Sequence, residues 1–282
     1  MFQDIAPHKL HIAYTAKKPQ IGDYLLFTQG DNVLMTVNNS GTQTLPQYGI
    51  EPFTSIGDEN PMQFLLSVDD IAFFYVRGEY TSYENTTWQR NTFLRLLDPA
   101  WIAFAVATSF HIIKWYDRNL YCGHCKTPME HLPNARTLRC PVCDVKMHPT
   151  ISPAIIAGVF DGDWLLLTKY ATGEYLRFTL IAGFGEIGET FEDIVSREIM
   201  EEVGIEAGKM YYYGSQPWGF SQSLLAGFFV EGDRSKKIVM DADELGEAVW
   251  IHKDELPYED AVSSSLTWDM IEAFRRGWKP YQ

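Results

Sequence analysis

Residues 183–205 constrain this chain more than any other stretch: Gly-Phe-Gly-Glu-Ile-Gly-Glu-Thr-Phe-Glu-Asp-Ile-Val-Ser-Arg-Glu-Ile-Met-Glu-Glu-Val-Gly-Ile. Gly183, Gly185 and Gly188 make a glycine-rich loop, and from Glu189-Thr190 the pattern turns helical until it stops near Gly204. Phe191, Ile194, Val195 and Ile199 recur at the three- and four-residue steps of an apolar helical stripe. Glu198, Glu201 and Glu202 stand at i, i+3 and i+4, which brings their carboxylates onto one patch of helix surface. Like charges so placed repel one another, a cost that a hard divalent cation with oxygen ligands removes. Three glutamates alone read as a solvated acidic face; the rest of the stretch overrides that reading.

The stretch resembles the Nudix box, Gly-x5-Glu-x7-Arg-Glu-hydrophobic-x-Glu-Glu-x-Gly-hydrophobic, at every defined position. Those positions are Gly183, Glu189, Arg197, Glu198, Ile199, Glu201, Glu202, Gly204 and Ile205. A Glu-Glu pair is common, whereas this many residue types at fixed spacing rarely coincide.

At 282 residues the chain is comfortable for two domains with real apolar cores. Its formal net charge of −14 argues against a broad basic surface that clamps a nucleic-acid backbone, but not against phosphates that arrive with magnesium. Residues 1–10 hold no apolar core of signal-peptide length and no 18-residue apolar run follows, so a soluble, cytoplasmic protein without a membrane partner is expected.

Residues 1–118 read as a β-rich α+β scaffold domain. Short runs at 10–15, 24–27, 64–68 and 71–76 are rich in aromatic and β-branched residues, with turn clusters between them. His8, His11 and Arg77 read as surface or structural residues. Asp98 is the expected N-cap, with Pro99 in the first turn, of an apolar helix over residues 101–115.

All four cysteines fall within residues 119–150, as Cys122-Gly-His-Cys125 and Cys140-Pro-Val-Cys143. Two Cys-x2-Cys knuckles suit tetrahedral zinc, although the fourteen-residue gap is one short of the usual window. Disulfides are the rival, and a reducing compartment disfavours them. So small a segment lacks a core of its own, and zinc would supply its stability. His124 lies inside a knuckle and is not needed as a ligand. A zinc ribbon can also bind nucleic acid.

Residues 151–282 change character. Strands are expected at 151–160 and 164–169 around the Asp161-Gly162 hairpin signal, and at 177–181, 210–214, 224–230 and 248–252, with a last helix at 264–276. That order suits an α/β/α sandwich on a mixed sheet, the fold the resemblance implies for this domain.

A second motif narrows the resemblance. Ser215-Gln216-Pro217-Trp218-Gly219-Phe220-Ser221-Gln222-Ser223 is similar to Ser-Gln-Pro-Trp-Pro-Phe-Pro-x-Ser, the signature of the NADH pyrophosphatase branch of the Nudix hydrolases. Gly219 and Ser221 replace two prolines, so a less rigid loop is expected. A four-cysteine ribbon ahead of the Nudix domain, the segment around His148-Pro149-Thr150, and an N-terminal Nudix-like domain also belong to that family. His148 stands where a tyrosine is common, which removes one stacking contact.

The resemblance implies a magnesium- or manganese-dependent hydrolase that cleaves the pyrophosphate of NADH, and less well NAD+, to mononucleotides. Glu198 and Glu202 are the expected direct metal ligands, with Glu201 a ligand or bound through water. By resemblance the backbone carbonyl of Ala182 and the carboxylate of Glu247 complete the set. Arg197 and Glu189 are expected to pair and hold the loop against the helix. Trp218 and Phe220 are expected to line the substrate, with Gln216 and Gln222 offering amides to a base or carboxamide edge. By resemblance Phe184 lies at the nicotinamide side, and the usual assembly is a homodimer. Three alternatives stand: a Nudix hydrolase for ADP-ribose or another nucleoside diphosphate derivative, removal of an NAD cap from RNA 5′ ends, and a non-catalytic nucleotide-sensing zinc-ribbon protein.

Overall fold

The computed structural model describes residues 1–54, 56, 61–78, 83–172, 177–257 and 265–280. They fall into two compact units. One joins Met1–Phe2, Ile151–Trp218 and Ser223–Gln282; the other joins Gln3–Thr150 and Gly219–Gln222.

In the unit containing Gln3–Thr150, one antiparallel and parallel mixed sheet orders strands Leu10–His11, Met62–Val68, Ile71–Val76 and Tyr24–Leu26. A second sheet is built on Asn32–Val37, paired on one edge with Thr86–Arg90. Leu25, Phe27, Phe53, Phe64 and Phe74 form the core. The strand expected over 10–15 is only two residues long, because past His11 the chain stops pairing with Met62–Val68. The expected helix is α1, Ala100–Arg118, one residue longer at its start and three at its end than its apolar run. Its N-cap is Pro99, with no side-chain capping bond, so Asp98 does not cap it. Tyr116 and Phe110 on α1 are fully buried, which accounts for its apolar sequence without a membrane. Among the described residues no helix is long and apolar enough to cross one.

The other unit carries strands β1 (Ser152–Asp161), β2 (Trp164–Tyr170), β3 (Ile181–Phe184), β4 (Met210–Trp218), β5 (Ser223–Glu231) and β6 (Leu245–His252). Helix α2 is Phe191–Val203 and helix α3 is Leu266–Arg275. The sheet runs β4-β5-β1-β2-β6, with β3 paired to the first half of β1. Only β1 and β5 pair in parallel, so the sheet is mixed. Period-two alternation sorts the side chains onto two faces. Ile155, Ala157 and Val159 of β1 pack with Ile194, Val195, Ile199 and Val203 of α2. Ile156 packs on the other face with Leu266, Met270, Ile271 and Phe274 of α3. A helix on each face makes this an α/β/α sandwich.

The start placed at Ser264 for the last helix lies outside the described residues; Ser265 is the N-cap, its hydroxyl accepting from the Trp268 N–H at 3.4 Å. The strand expected at 177–181 is displaced. Thr179 makes a single bridge to Thr168, and the strand proper is β3. Ala182 and Gly183 therefore sit in the sheet, not in a loop.

Candidate active site

Helix α2 begins and ends where its sequence dictates. The Thr190 hydroxyl accepts from the Asp193 N–H at 3.2 Å, and the Asp193 carboxylate accepts from the Thr190 N–H at 2.9 Å, a reciprocal capping box. Gly204 ends the helix in the left-handed conformation at φ 67°, which glycine adopts at no steric cost. With Ile194, Val195 and Ile199 buried against β1, and Phe191 of the expected stripe left exposed, the helix presents its glutamates toward β3.

Arg197 organises this surface. Its Nε and Nη2 donate to the two oxygens of Glu189 at 2.7 and 2.9 Å, a bidentate fork across the loop. Nη2 also donates to the Phe184 carbonyl at 2.9 Å, and Nη1 donates to Glu198 at 2.7 Å and Glu201 at 3.0 Å. Glu189 accepts from the Glu186 N–H as well, at 2.8 Å. The hydrogen bonds from Arg197 and Glu186 bring its carboxyl down to about 2, and those same carboxylates raise Arg197.

Glu198 and Glu202 are buried, at 9% and 3% exposure, while Glu201 is open to solvent. Burial raises the Glu198 carboxyl, against the pull of Arg197. Burial first, then the charge of Glu198, pushes Glu202 up to about 8, although the Ala182 backbone amide hydrogen-bonds its carboxylate. Among the described residues no ion pair forms on Glu202. Two buried, adjacent carboxylates with one arginine on Glu198 and none on Glu202 are short of positive charge, and their hard oxygen donors suit a divalent cation. Gly183 permits the arrangement: a Cβ there would lie 1.9 Å from the Glu198 carboxylate carbon.

The fourth expected carboxylate lies elsewhere. Glu247 on β6 pairs with Lys169 of β2, Oε2 to Nζ at 2.6 Å. The acid whose charge acts on both Glu198 and Glu202 is Glu244, with Asp241 also acting on Glu202. The sequence offered Glu244 as plainly as Glu247, three residues away, with nothing local to choose between them. Among the described residues no three acidic side chains gather within 4.8 Å.

The Ser215–Ser223 segment is a β-hairpin rather than an open loop: Gln216, Pro217 and Trp218 pair with Leu225, Leu224 and Ser223. Gln216 is fully buried, and its Oε1 accepts from the Leu266 N–H at 2.7 Å. That is a correction: the side-chain oxygen of Gln216 fastens the start of α3 and is not offered to a substrate. Ser223 is buried as well, whereas Pro217 and Ser221 are exposed. Trp218 is half-buried, its ring edge-on to Phe2 with centroids 5.8 Å apart. Phe184 is exposed beside the Glu189–Arg197 fork. At the tip, Gln222 adopts φ 55° and its Nε2 donates to the Phe220 carbonyl at 3.2 Å. Gly219 is buried with a Cβ position 2.0 Å from the Ala107 carbonyl oxygen of α1, so the helix backbone excludes any side chain there. The glycine read as a loss of rigidity thus has a packing cause.

The four cysteine sulfurs converge within 4.8 Å. Cys122 and Cys143 stand 3.4 Å apart, as do Cys125 and Cys140, with Cys125 and Cys143 at 3.7 Å. These are far longer than a disulfide of about 2.05 Å, and close to the edge of roughly 3.8 Å that metal–sulfur bonds of about 2.3 Å give a tetrahedron. The knuckles match each other: the Lys126 N–H donates to the Cys122 carbonyl at 2.8 Å, and the Asp144 N–H to the Cys140 carbonyl at 3.1 Å. Hydrogen bonding with Thr127 lowers the Cys125 thiol to about 6, toward the thiolate a metal needs. His124 stays outside the cluster. His148 lies against Thr137, Nδ1 to hydroxyl at 3.1 Å.

Residues 150–270 match the family described as NUDIX domain. The match agrees with the box that the sequence resembles and with the α/β/α sandwich that carries it. The chain is 39% identical over 146 residues to a protein of Salmonella paratyphi C called NAD-capped RNA hydrolase NudC, and equally to one of Citrobacter koseri with the same name. The match takes in 52% of this chain and 56% of either relative, so the chain spans little more than half the length of the curated relatives it matches. A solved NUDIX hydrolase from Nitrosomonas europaea is similar at 17% identity and a TM-score of 0.48, covering 57% of this chain and 96% of its own, too distant to add to the family match.

Proposed function

We propose that this chain is a divalent-metal-dependent hydrolase that cleaves the pyrophosphate of NADH, and less well NAD+, to reduced (or oxidised) nicotinamide mononucleotide and AMP. The observation that carries the reading is the pair of buried carboxylates, Glu198 and Glu202, facing Ala182–Gly183 from a helix whose loop is clamped by Arg197. Magnesium or manganese on Glu198, Glu202 and the Ala182 carbonyl, with Glu244 rather than Glu247 as the further acid, would neutralise the pyrophosphate and acidify a bound water. Water then attacks one phosphorus, the anhydride P–O bond breaks, and the bridging oxygen leaves on the other phosphate. Glu202, which this reading also places on the ion, would take the proton from that water. Glu201, open to solvent, meets the cation directly or through water. The Arg197–Glu189 fork holds the loop still while charge shifts. Trp218, Phe220 and Phe184 offer aromatic faces to the nicotinamide and adenine rings, and Gln222 an amide edge.

The relatives' name favours a second substrate for the same chemistry, an NAD-bearing RNA 5′ end. The net charge of −14 weighs against strong contact with the RNA beyond that end. Zinc is the ion this reading assigns to Cys122, Cys125, Cys140 and Cys143, and a cytoplasmic homodimer is the assembly it carries, which light scattering tests.

The experiment is product analysis in oxygen-18 water with Mg2+ or Mn2+, offering NADH, NAD+ and ADP-ribose separately at equal concentration. NADH is expected to be cleaved fastest, to two mononucleotides, one of them labelled. Faster cleavage of ADP-ribose would replace the proposed specificity, and cleavage of none would remove the enzymatic reading. Trp218→Ala should flatten the substrate ranking more than it lowers turnover; an unchanged ranking takes Trp218 out of the substrate site. Gly183→Ala drives a methyl group into Glu198, and a shift of about 1 Å in such a group costs roughly 100-fold in turnover. A Gly183→Ala variant with ordinary kinetics would show that Glu198 has no fixed place in the reaction.

A further inference from the structure

Two aromatic side chains of the proposed substrate site share one face of the sheet. Gln216 of β4 accepts from the Leu266 N–H at the start of α3, and Ala182 of β3 packs with the core beneath that helix. Trp218 and Phe184 come two residues later on the same strands, so alternation puts both on the α3 face. Gln216, Leu225, Ala154 and Phe184 form one row across the sheet, roughly 14 Å long at about 4.8 Å per strand. Glu202 bonds the Ala182 amide on β3, which brings the carboxylates to the Phe184 end of that row. At the other end Trp218 closes β4, at the edge of the described sheet, past the points where Tyr213 and Gln216 fasten the strand to α3. A ring so placed keeps its freedom about two side-chain torsions unless something packs on it. Phe2 packs on it. Its ring meets Trp218 edge-on, with centroids 5.8 Å apart and planes at 63°, and it is only 4% exposed. Met1 beside it packs with the same core as Ala182, its methyl carbon 3.7 Å from the place a Cβ on Gly214 of β4 would take.

We propose that Phe2 is a positioning residue for the dinucleotide site: packed edge-on, it fixes the Trp218 ring in the orientation that a substrate ring meets. The inference rests on the proposed role of Trp218 as a wall of that site. Phe2 carries no group that can move a proton or hold an ion, so it acts through Trp218 alone. A tryptophan already held in place loses less freedom when a base closes against it, and that saving appears in binding. The chemical step, set by the glutamates of α2, does not depend on it. Phe2 therefore governs how tightly the dinucleotide is held and not how fast its pyrophosphate is cut. An aromatic pair of this geometry corresponds to roughly two- to tenfold in affinity.

The test is steady-state NADH cleavage with Mn2+ by the full chain, purified through a C-terminal tag, in Phe2→Ala, Trp218→Ala and the double variant. Phe2→Ala should raise KM about fivefold and leave kcat within about twofold. A merely structural loss would instead lower the active fraction, and with it kcat, while KM stayed put. Trp218→Ala should raise KM at least as far. Adding Phe2→Ala to it should then change KM by less than about twofold, because the ring to be positioned is gone. Phe2→Leu serves in place of Phe2→Ala should the latter fail to fold, as circular dichroism would show; it keeps apolar bulk, loses the ring edge, and should raise KM likewise. An unchanged KM in a folded Phe2 variant overturns the inference, and so do effects that multiply in the double variant. In either case a raised KM in Trp218→Ala leaves the substrate-site reading standing. An unchanged KM in Trp218→Ala removes Trp218 from the site and the inference with it, and no cleavage by the unaltered chain removes the hydrolase reading as well.

Discussion

Glu202→Gln should abolish turnover while leaving the fold intact, a loss of about 1,000-fold or more, or roughly 4 kcal/mol in the barrier. The substitution keeps the shape of a side chain that is 3% exposed and changes only its charge and its ability to take a proton. Because that charge is costly where it sits, the variant should also be no less stable than the parent when metal is absent. Burial holds the Glu202 proton in the folded state up to about pH 8, against an ordinary value of 4.5. Between those two values the folded protein binds a proton that the unfolded chain has released. Stability therefore falls as pH rises through this window, by an amount on the order of a few kcal/mol. Glu198, also raised by burial, has the same sign. Melting of the metal-free protein from pH 5 to 9 is expected to show the decline, and Glu202→Gln to flatten it. Saturating Mg2+ should flatten it too, since the cation takes over from the proton. Near-normal kcat in Glu202→Gln would take the residue out of proton transfer, and a steep decline retained in that variant would place the titrating group elsewhere.

Loss of the ion from the four-cysteine cluster should be the largest stability effect in the chain. The ribbon strands Glu130–His131, Leu138–Arg139 and Lys146–Met147 are two residues each, and Leu138 is the buried aliphatic residue among them. Such a segment cannot hold its shape by apolar burial, so metal binding, on the order of 10 kcal/mol in small zinc domains, is coupled to its folding. Cys140→Ser replaces a fully buried ligand with one that binds zinc poorly. Elemental analysis should read about one zinc per chain before the substitution and close to none after it. The melting curve should shift sharply downward, and strong chelators should have the same effect on the unaltered protein. His124→Ala should change neither quantity. A chain that loses its metal and melts unchanged would mean that the ribbon stands without it.

The helix of the box could be read from the sequence because everything that makes it is local. Thr190 and Asp193 cap it, Gly204 releases it, and the spacing of Glu198, Glu201 and Glu202 decides which side they share. The cysteine cluster was legible for a similar reason, since each knuckle is closed by hydrogen bonds within five residues. The Ser215–Ser223 motif was visible as a motif yet read as a less rigid loop. Its residues alternate between faces once β4 pairs with β5, and that pairing sends Gln216 inward to Leu266 while Ser221 stays in water.

By itself, then, the sequence determined the class of chemistry: which residue types stand together on α2, which sulfurs make a metal cluster, and the order of strands that yields a mixed sheet with a helix on each face. Tertiary structure alone decided which of two acids, Glu244 or Glu247, acts on the buried pair, that Lys169 occupies Glu247, and that α1 leaves no room for a side chain at Gly219. Local patterns follow from the periods of helix and strand, which a few neighbouring residues carry. The others depend on contacts between residues far apart in the chain, 78 positions for Lys169 and Glu247 and 112 for Ala107 and Gly219, where a one-residue slip changes every partner.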